Sequence, residues 1–341
     1  MRIAIVNDIR MIVEALRRHV LQEHEVVWVA YSGPQALQFC LENRPDLILM
    51  DLVMPEMDGV ETTRLIMQST PCAILLVTAS PERNTDLVFR ALGAGAMDVT
   101  YTPVIDAALA GESLLLKKIR TIGRLIGADT RPSRPAPLRP ENGLWWAGAQ
   151  AKVLVAIGTS TGGPVALAKL LQIWIPPAHC ALVIVQHIDR AFTDSFAQWL
   201  ATQAGFAVSV VDSGDPITGG KIFMAKTNDH LLLDDHQRLR YSAEPIDYAY
   251  RPSVDVFFHS VARHWPRKAI GVLLTGMGHD GAQGMMAMRQ AGQLTIAQDQ
   301  ASSAVYGMPH AAAQIQAAQH ILSLPAIGQA LIKHTGTQKQ P

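Results

Sequence analysis

Three cysteines in 341 residues are too few for a disulfide framework. Cys40, Cys72 and Cys180 form no C-x-x-C pair, so they read as small buried hydrophobes in a reducing compartment. Neither sign of charge is in excess. Lys plus Arg number 29 and Asp plus Glu number 29, which excludes a nucleic-acid binder that works through a broad basic field. No uncharged apolar run approaches the length of about 18 residues that a membrane span requires. The first apolar run stops at Asn7-Asp8, too early for a secretory signal. These absences predict a soluble cytoplasmic chain. What is abundant is apolar content, 49% of residues, enough for an ordinary core in each of the two domains that the length suggests.

The first of these domains is expected over residues 1–125, where strand-like and helix-like signals alternate. Strands are expected at 2–6, 25–30, 46–50, 74–77 and 97–100, with helical runs between them and a closing helix over 107–125. Parallel neighbours need crossover connections, so this order predicts an α/β domain with a (βα)5 parallel sheet. Function in such sheets gathers at the carboxyl ends of the strands. Those ends carry Asn7-Asp8, Asp51 and Thr78. Residues 126–149 contain a Pro-rich stretch, Asp129-Thr-Arg-Pro-Ser-Arg-Pro-Ala-Pro-Leu-Arg-Pro140, that cannot bury enough apolar surface to fold and is expected to link two domains. Trp145-Trp146, just beyond it, are apolar enough to pack back on one of them.

The second domain, expected over 150–335, opens on Val153-Leu-Val-Ala-Ile-Gly158-Thr-Ser160-Thr-Gly162-Gly163-Pro164. This reads as a buried strand, a tight turn and a helix that begins at proline, which suits a first helical turn. The turn allows two readings. Glycines ahead of a helix N-terminus can cradle an anion, and Gly158-Thr-Ser160-Thr-Gly162 also has the G-x-S-x-G spacing of a nucleophile elbow. Two further apolar strands, 181–186 and 269–274, lead to His187 and Asp280. An antiparallel hairpin is expected over 230–242, and the whole again reads as α/β with a largely parallel sheet. Serine is inert without a base to take its proton, and the base needs an acid to fix its tautomer. The three residue types at equivalent strand ends make a Ser160–His187–Asp280 triad the stronger reading. An α/β-hydrolase would run Ser, Asp or Glu, then His; here the histidine comes second, which excludes that fold.

The segment Asp46-Leu-Ile-Leu-Met-Asp51-Leu-Val-Met-Pro55-Glu-Met-Asp58-Gly59 resembles the phosphoacceptor region of two-component receiver domains. The resemblance implies that Asp51 accepts a phosphoryl group from a sensor histidine kinase. It also implies a Mg²⁺ ion held by Asp8, Asp51 and the carbonyl of Val53, with Thr78 as the hydroxyl that meets the phosphoryl oxygen. Asn7 stands where the family usually has a second acid, Thr102 where it has a lysine, and Val99 at its aromatic switch position. Loss of the lysine removes a point charge that would pair with the acyl phosphate.

Residues 150–335 resemble the effector domain of chemotaxis protein-glutamate methylesterases. Ile157-Gly-Thr-Ser-Thr-Gly-Gly-Pro164, Val185-Gln-His-Ile188 and Leu274-Thr-Gly-Met-Gly-His-Asp-Gly281 carry the likeness, with Tyr250-Arg-Pro-Ser-Val-Asp255 and Val305-Tyr-Gly-Met-Pro309. Lys226-Thr227 and His310 depart from the family's usual Pro-Gly and arginine. The resemblance implies hydrolysis of glutamate γ-methyl esters on methyl-accepting receptors, with Ser160 as nucleophile, His187 as base, Asp280 as orienting acid, and the Met277 and Thr161 N–H groups as oxyanion donors. It implies no metal in the esterase domain, a related deamidation of glutamine, and a receiver that covers the active-site face until it is phosphorylated. The receiver departures are also similar to the methylesterases of Wsp-type surface-sensing systems, whose output is a diguanylate cyclase. Two competing readings are an inactive receiver–adaptor fusion, which the intact triad disfavours, and a transcriptional regulator, which lacks a helix-turn-helix pattern here.

Overall fold

The computed structural model describes residues 1–79, 84–103, 114–126, 150–188, 190–226, 228–246, 248 and 250–336. The chain divides into two compact units, Met1–Arg131 and Pro132–Pro341. That division falls within 126–149, most of which, including Trp145-Trp146, lies outside the described residues.

The first unit runs β1 (Arg2–Val6), α1 (Arg10–Val20), β2 (Glu25–Ala30), α2 (Gly33–Glu42), β3 (Leu47–Met50), α3 (Gly59–Ser69), β4 (Ala73–Thr78), α4 (Thr85–Gly93), β5 (Asp98–Tyr101) and α5 (Leu114–Leu125). The expected helix over 107–125 is described only from Leu114 onward. All five strands are parallel, in the order β2-β1-β3-β4-β5. Every residue of β3 and β4 is buried, as continuous apolar runs covered on both faces should be. Helix starts follow local chemistry: the Ser32 hydroxyl accepts from the Gln35 N–H, and the Asp58 carboxylate accepts from the Glu61 N–H. The strand order reverses between β1 and β3, so Asn7-Asp8 and Asp51 share one crevice at the carboxyl edge. All three cysteines are free and buried. Although 32 positions separate them in sequence, Cys40 and Cys72 are neighbours in the fold, and the Cys40 thiol donates to the Thr70 carbonyl at 3.9 Å.

The second unit runs β6 (Val153–Thr159), α6 (Gly163–Ile173), β7 (Cys180–Gln186), α7 (Arg190–Ala204), β8 (Val208–Val210), β9 (Asp215–Pro216), β10 (Lys221–Met224), β11 (His230–Leu233), β12 (Arg238–Ser242), α8 (Val254–His264), β13 (Lys268–Leu273), α9 (Ala282–Gln290), β14 (Leu294–Gln298), α10 (Met308–Gln314), β15 (His320–Leu322) and α11 (Leu324–Thr335). Seven strands form a wholly parallel sheet, β15-β14-β13-β6-β7-β10-β8. The hairpin β11–β12 is antiparallel and joins β9 in a separate small sheet. β6 is flanked by β7 on one side and the much later β13 on the other, so the topological switch lies at the end of β6. Central strands β6 and β7 are buried along their whole length. Phe257 and Phe258 on α8 pack into the same core.

In the first unit α5 is tied to β5 by one buried cation. The Lys118 ammonium donates to Asp98 Oδ2 at 2.7 Å and to the Val99 carbonyl at 2.8 Å. Both side chains are largely withdrawn from water, so removing the lysine leaves a poorly solvated carboxylate. Lys118→Ala is expected to destabilise the receiver-like unit by about 3 kcal/mol, read as a lower urea midpoint for its transition at unchanged m-value.

Candidate active site

Ser160 follows β6 directly. Its N–H donates to the Thr275 carbonyl at 3.0 Å, and its own carbonyl accepts from the Gly163 N–H at 2.9 Å. The G-x-S-x-G spacing suggested a strained serine, yet Ser160 is not among the described residues with positive φ. The left-handed step falls at Gly162, with φ +78, immediately before α6. A β-carbon there would also come within 2.5 Å of Ala304 Cβ. The sharp elbow is therefore displaced two residues beyond the serine. Gly158 has a packing role, because a β-carbon on it would lie 2.1 Å from Val254 Cγ1. Its bare backbone lets the first residue of α8 rest against β6.

His187 follows β7 in the same way. The register pairs Thr159 with Gln186, and the His187 N–H donates to the Thr159 carbonyl at 3.1 Å, so the sheet itself brings Ser160 and His187 side by side. The Gln186 amide ties the two strand ends by donating to the Ser160 carbonyl at 2.9 Å. Ser160 and His187 are both buried.

Asp280 departs from the expected position. It lies seven residues beyond Leu273, the last residue of β13, at the far end of a loop rather than at a strand end. Nor does it cap the helix that follows it. Its carboxylate crosses to the N-terminus of α8, where Oδ1 accepts from the Ser253 hydroxyl at 2.7 Å and the Asp255 N–H at 2.9 Å. Oδ2 accepts from the Val254 N–H at 2.7 Å and from His187 Nε2 at 2.7 Å. Unsatisfied N–H groups and the dipole favour an anion at a helix start. Burial on its own would raise the Asp280 pKa; the His187 hydrogen bond, with the Asp255 N–H and the Ser253 hydroxyl, outweighs it and holds the carboxyl below its ordinary range. The charge of the acid is thus fixed by its donors.

With Nε2–H committed to Asp280, the tautomer leaves His187 Nδ1 as the lone-pair nitrogen. That atom is buried and has no hydrogen-bond partner among the described residues. An unpartnered ring acceptor on the residue that the register sets beside Ser160 is free to take a proton. The N–H groups of Thr161 and Met277 likewise have no acceptor among the described residues. Both stand on loops next to Ser160, as candidate oxyanion donors must.

Residues that the sequence reading left without a role complete the site. Ser253 caps α8, its hydroxyl accepting from the Val256 N–H as well as donating to Asp280. Its N–H donates to Nδ1 of the fully buried His230, whose Nε2 donates to the Pro245 carbonyl. Burial pushes the His230 pKa down, as a ring that must accept at Nδ1 requires. Asp255 caps the start of α9 by accepting from the Gly284 N–H at 2.7 Å, and burial together with the Asp280 charge pushes its pKa up to about 7. The Tyr250 ring is stacked on His187. Only the Tyr250–Asp255 motif pointed to this cluster, and it named no contacts. Of the family departures, Lys226 sits 3.5 Å from Asp212, His310 packs near Tyr306, and Thr227 lies outside the described residues.

In the first unit, Asp51 Oδ1 accepts from the Leu52 N–H at 2.7 Å and Oδ2 from the Asn7 amide at 2.8 Å. Burial pushes the Asp51 pKa up to about 6 against the Leu52 and Val53 N–H groups, with the Asp8 charge adding to the rise. Thr78 ends β4, buried, and Val99 is wholly buried in β5. The Thr102 N–H donates to the Thr78 carbonyl at 3.0 Å. Asp8 Oδ1 is buried without a partner among the described residues. No cluster of three or more His, Cys, Asp or Glu able to hold a metal occurs among those residues. No described helix is long and apolar enough to cross a membrane.

Space at the serine is tight. A β-carbon at Gly276 would fall 2.8 Å from Ser160 Cβ and 3.1 Å from its nitrogen. Gly276→Ala is expected to reduce turnover at this site about 100-fold while the thermal melt of the second unit stays cooperative, measured by steady-state kinetics beside circular dichroism.

Comparison with known proteins assigns a family to each unit. The family model for CheB methylesterase matches residues 155–331, and that for the response regulator receiver domain matches residues 3–110. The chain is 52% identical over 337 residues to protein-glutamate methylesterase/protein-glutamine glutaminase 1 of Pseudomonas fluorescens, covering 98% of this chain and 99% of that protein. It is 53% identical over 335 residues to the corresponding protein of the group 3 operon of Pseudomonas putida, covering 96% and 97%. It is 49% identical over 344 residues to protein-glutamate methylesterase/protein-glutamine glutaminase 2 of Burkholderia pseudomallei, covering 100% and 99%. Matched by both family models and, along almost its whole length, by relatives about half identical to it, this chain belongs to the CheB-type chemotaxis methylesterase family, with a receiver domain ahead of a methylesterase domain.

Proposed function

We propose that this chain is a carboxylic ester hydrolase that removes methyl groups from glutamate γ-methyl esters on methyl-accepting chemotaxis receptors and releases methanol. The observation that carries the reading is the His187–Asp280 hydrogen bond, which leaves Nδ1 buried and open on the residue that the sheet register sets beside Ser160. Ser160 Oγ attacks the ester carbonyl as its proton passes to Nδ1, and the tetrahedral oxyanion takes the free N–H groups of Thr161 and Met277. Collapse expels methoxide, which receives the proton from His187 and leaves as methanol. Water then attacks the acyl-enzyme through the same nitrogen, regenerating Ser160 and a glutamate carboxylate. Glutamine side chains, which differ in the leaving group, pass through the same steps with release of ammonia; the glutaminase part of the relatives' names supports this second substrate. Ser160→Ala is expected to abolish methanol release from radiolabelled methylated receptor membranes, and turnover persisting at more than a thousandth of the native rate would exclude Ser160 as nucleophile.

The receiver is proposed to set this activity through phosphorylation of Asp51 by a sensor histidine kinase. Asp8, Asp51 and the Val53 carbonyl would hold a Mg²⁺ ion there, which supplies positive charge against the phosphoryl oxygens. The partnerless Asp8 oxygen and the raised Asp51 proton affinity both suit the binding of a cation. Asn7 donates to Asp51 where a second acid would repel it, so fewer charges attract the ion. Thr78, buried at the end of β4, would meet a phosphoryl oxygen, while Thr102 offers no charge in place of lysine. Folded Asp51 keeps its proton to about pH 6, whereas the unfolded group loses it near pH 4. The folded state therefore loses stability as pH rises from about 4 to 6. Mg²⁺ is expected to raise the receiver's Tm at pH 7 and to do little at pH 5, where the proton occupies the site. Asp51→Asn is expected to remove that difference and the stimulation of methanol release by acetyl phosphate; stimulation that survives in the variant would exclude Asp51 as phosphoacceptor.

A further inference from the structure

The His187 imidazole presents two nitrogen edges and two faces. Asp280 holds the Nε2 edge, and the Nδ1 edge is open. One face lies against the Tyr250 ring, with centroids 4.1 Å apart and planes only 13° from parallel. Aromatic pairs held by ordinary packing favour centroid separations of about 4.5–7 Å and tilted or offset rings. This contact is closer and flatter. The negative face of a phenol ring attracts a neighbouring cation, so the stack strengthens when the imidazole gains a proton.

The segment that supplies Tyr250 also supplies the clamp on the acid. Three residues later Ser253 caps α8 and donates to Asp280 Oδ1. One short stretch, 250–255, therefore governs both the face of the histidine and the carboxylate on its edge. Hydrogen bonding at Nε2 alone leaves the ring free to rock about that bond; a parallel neighbour removes this freedom and keeps Nδ1 in the plane where Ser160 must present its proton.

We propose that Tyr250 is a positioning residue of the esterase site, whose ring face fixes the plane of the His187 imidazole and favours its cationic form during acyl transfer. This rests on the esterase reading of Ser160 and His187. The π face carries the effect. The charged and titratable groups that bear on the pair are Asp280, which bonds it directly, then Asp255 and Tyr248 beside Asp280, and His230 with Arg251 behind Ser253. None of the others is stacked on the ring.

The test uses the full chain and the series Tyr250→Phe, Tyr250→Trp and Tyr250→Leu. Methanol release from methylated receptor membranes is followed against pH, and His187 is titrated by imidazole ¹⁵N resonances in a Ser160→Ala background. A stack that stabilises the cation raises the pH at which His187 takes its proton, so removing the face moves the acid limb to lower pH. Tyr250→Leu is expected to lower kcat about five-fold at unchanged KM and to move both the acid limb and the His187 titration down by about half a unit. Tyr250→Phe is expected to match the native enzyme, and Tyr250→Trp to titrate at or above it. A Leu variant with native titration, or a Phe variant that falls as far as Leu, overturns the proposal. A purely structural role would lower the active fraction and leave the acid limb where it was, which also overturns it. If Tyr250→Leu fails to melt cooperatively, the Trp variant decides alone, because a downward shift there contradicts a π-face effect and an upward one supports it. Failure of the esterase reading is separate and visible, as turnover that survives in Ser160→Ala.

Discussion

The second domain depends on one carboxylate held at the start of a helix. Asp280 accepts two backbone N–H groups, a hydroxyl and an imidazole N–H, so every lone pair that faces protein is used. Each contact has a structural origin elsewhere. The N–H groups are the orphan donors of α8. The hydroxyl belongs to the residue that caps that helix, and the imidazole comes from the end of β7. Because Gly158 has no side chain, α8 can begin directly over β6. The acid thus reaches across from the loop after β13 to a histidine two strands away, passing the serine between them.

The same region shows how two adjacent helix starts share their charges. Asp280, which precedes α9, satisfies the N-terminus of α8; Asp255, which opens α8, satisfies the N-terminus of α9. Their carboxylates respond differently, although burial pushes the proton affinity of both upward. Asp280 has a cationic-capable partner and is held ionised, whereas Asp255 has only neutral donors and a neighbouring negative charge, and its proton affinity rises. Asp51 in the receiver follows the second pattern, for the same reason: burial and Asp8 outweigh neutral N–H donors. The nature of the partner decides the sign of the shift.

Much of the fold was legible as hydrophobic period. Continuous apolar runs such as Leu-Val-Ile-Val in β7 are what a strand covered on both faces requires, and the alternation with helical runs dictates parallel order. Elements without that signal were not visible. β9 is the two residues Asp215–Pro216, and β15 is His320–Leu322, short edge pieces whose place is set by neighbours rather than by pattern. Residues 190–204, which carry polar side chains scattered through the helix, gave no clear period although they form α7. The G-x-S-x-G spacing singled out Ser160 but misassigned its glycines: Gly158 makes room for a helix, and of the two only Gly162 takes a left-handed turn.

By itself the sequence determined the chemical inventory: a serine, a histidine and an aspartate in an order foreign to α/β-hydrolases, behind a receiver-like domain with an aspartate at its third strand end. Those are properties of residue type and spacing, which survive without coordinates. Tertiary structure decided which nitrogen of His187 is open, that Asp280 is anchored by α8 rather than by its own strand, and that Tyr250 covers the imidazole. These depend on contacts between segments 27 to 93 residues apart, Ser253 and His187 to Asp280 among them. Local pattern cannot encode such contacts, because their geometry is set by where a packed helix start comes to rest against a sheet.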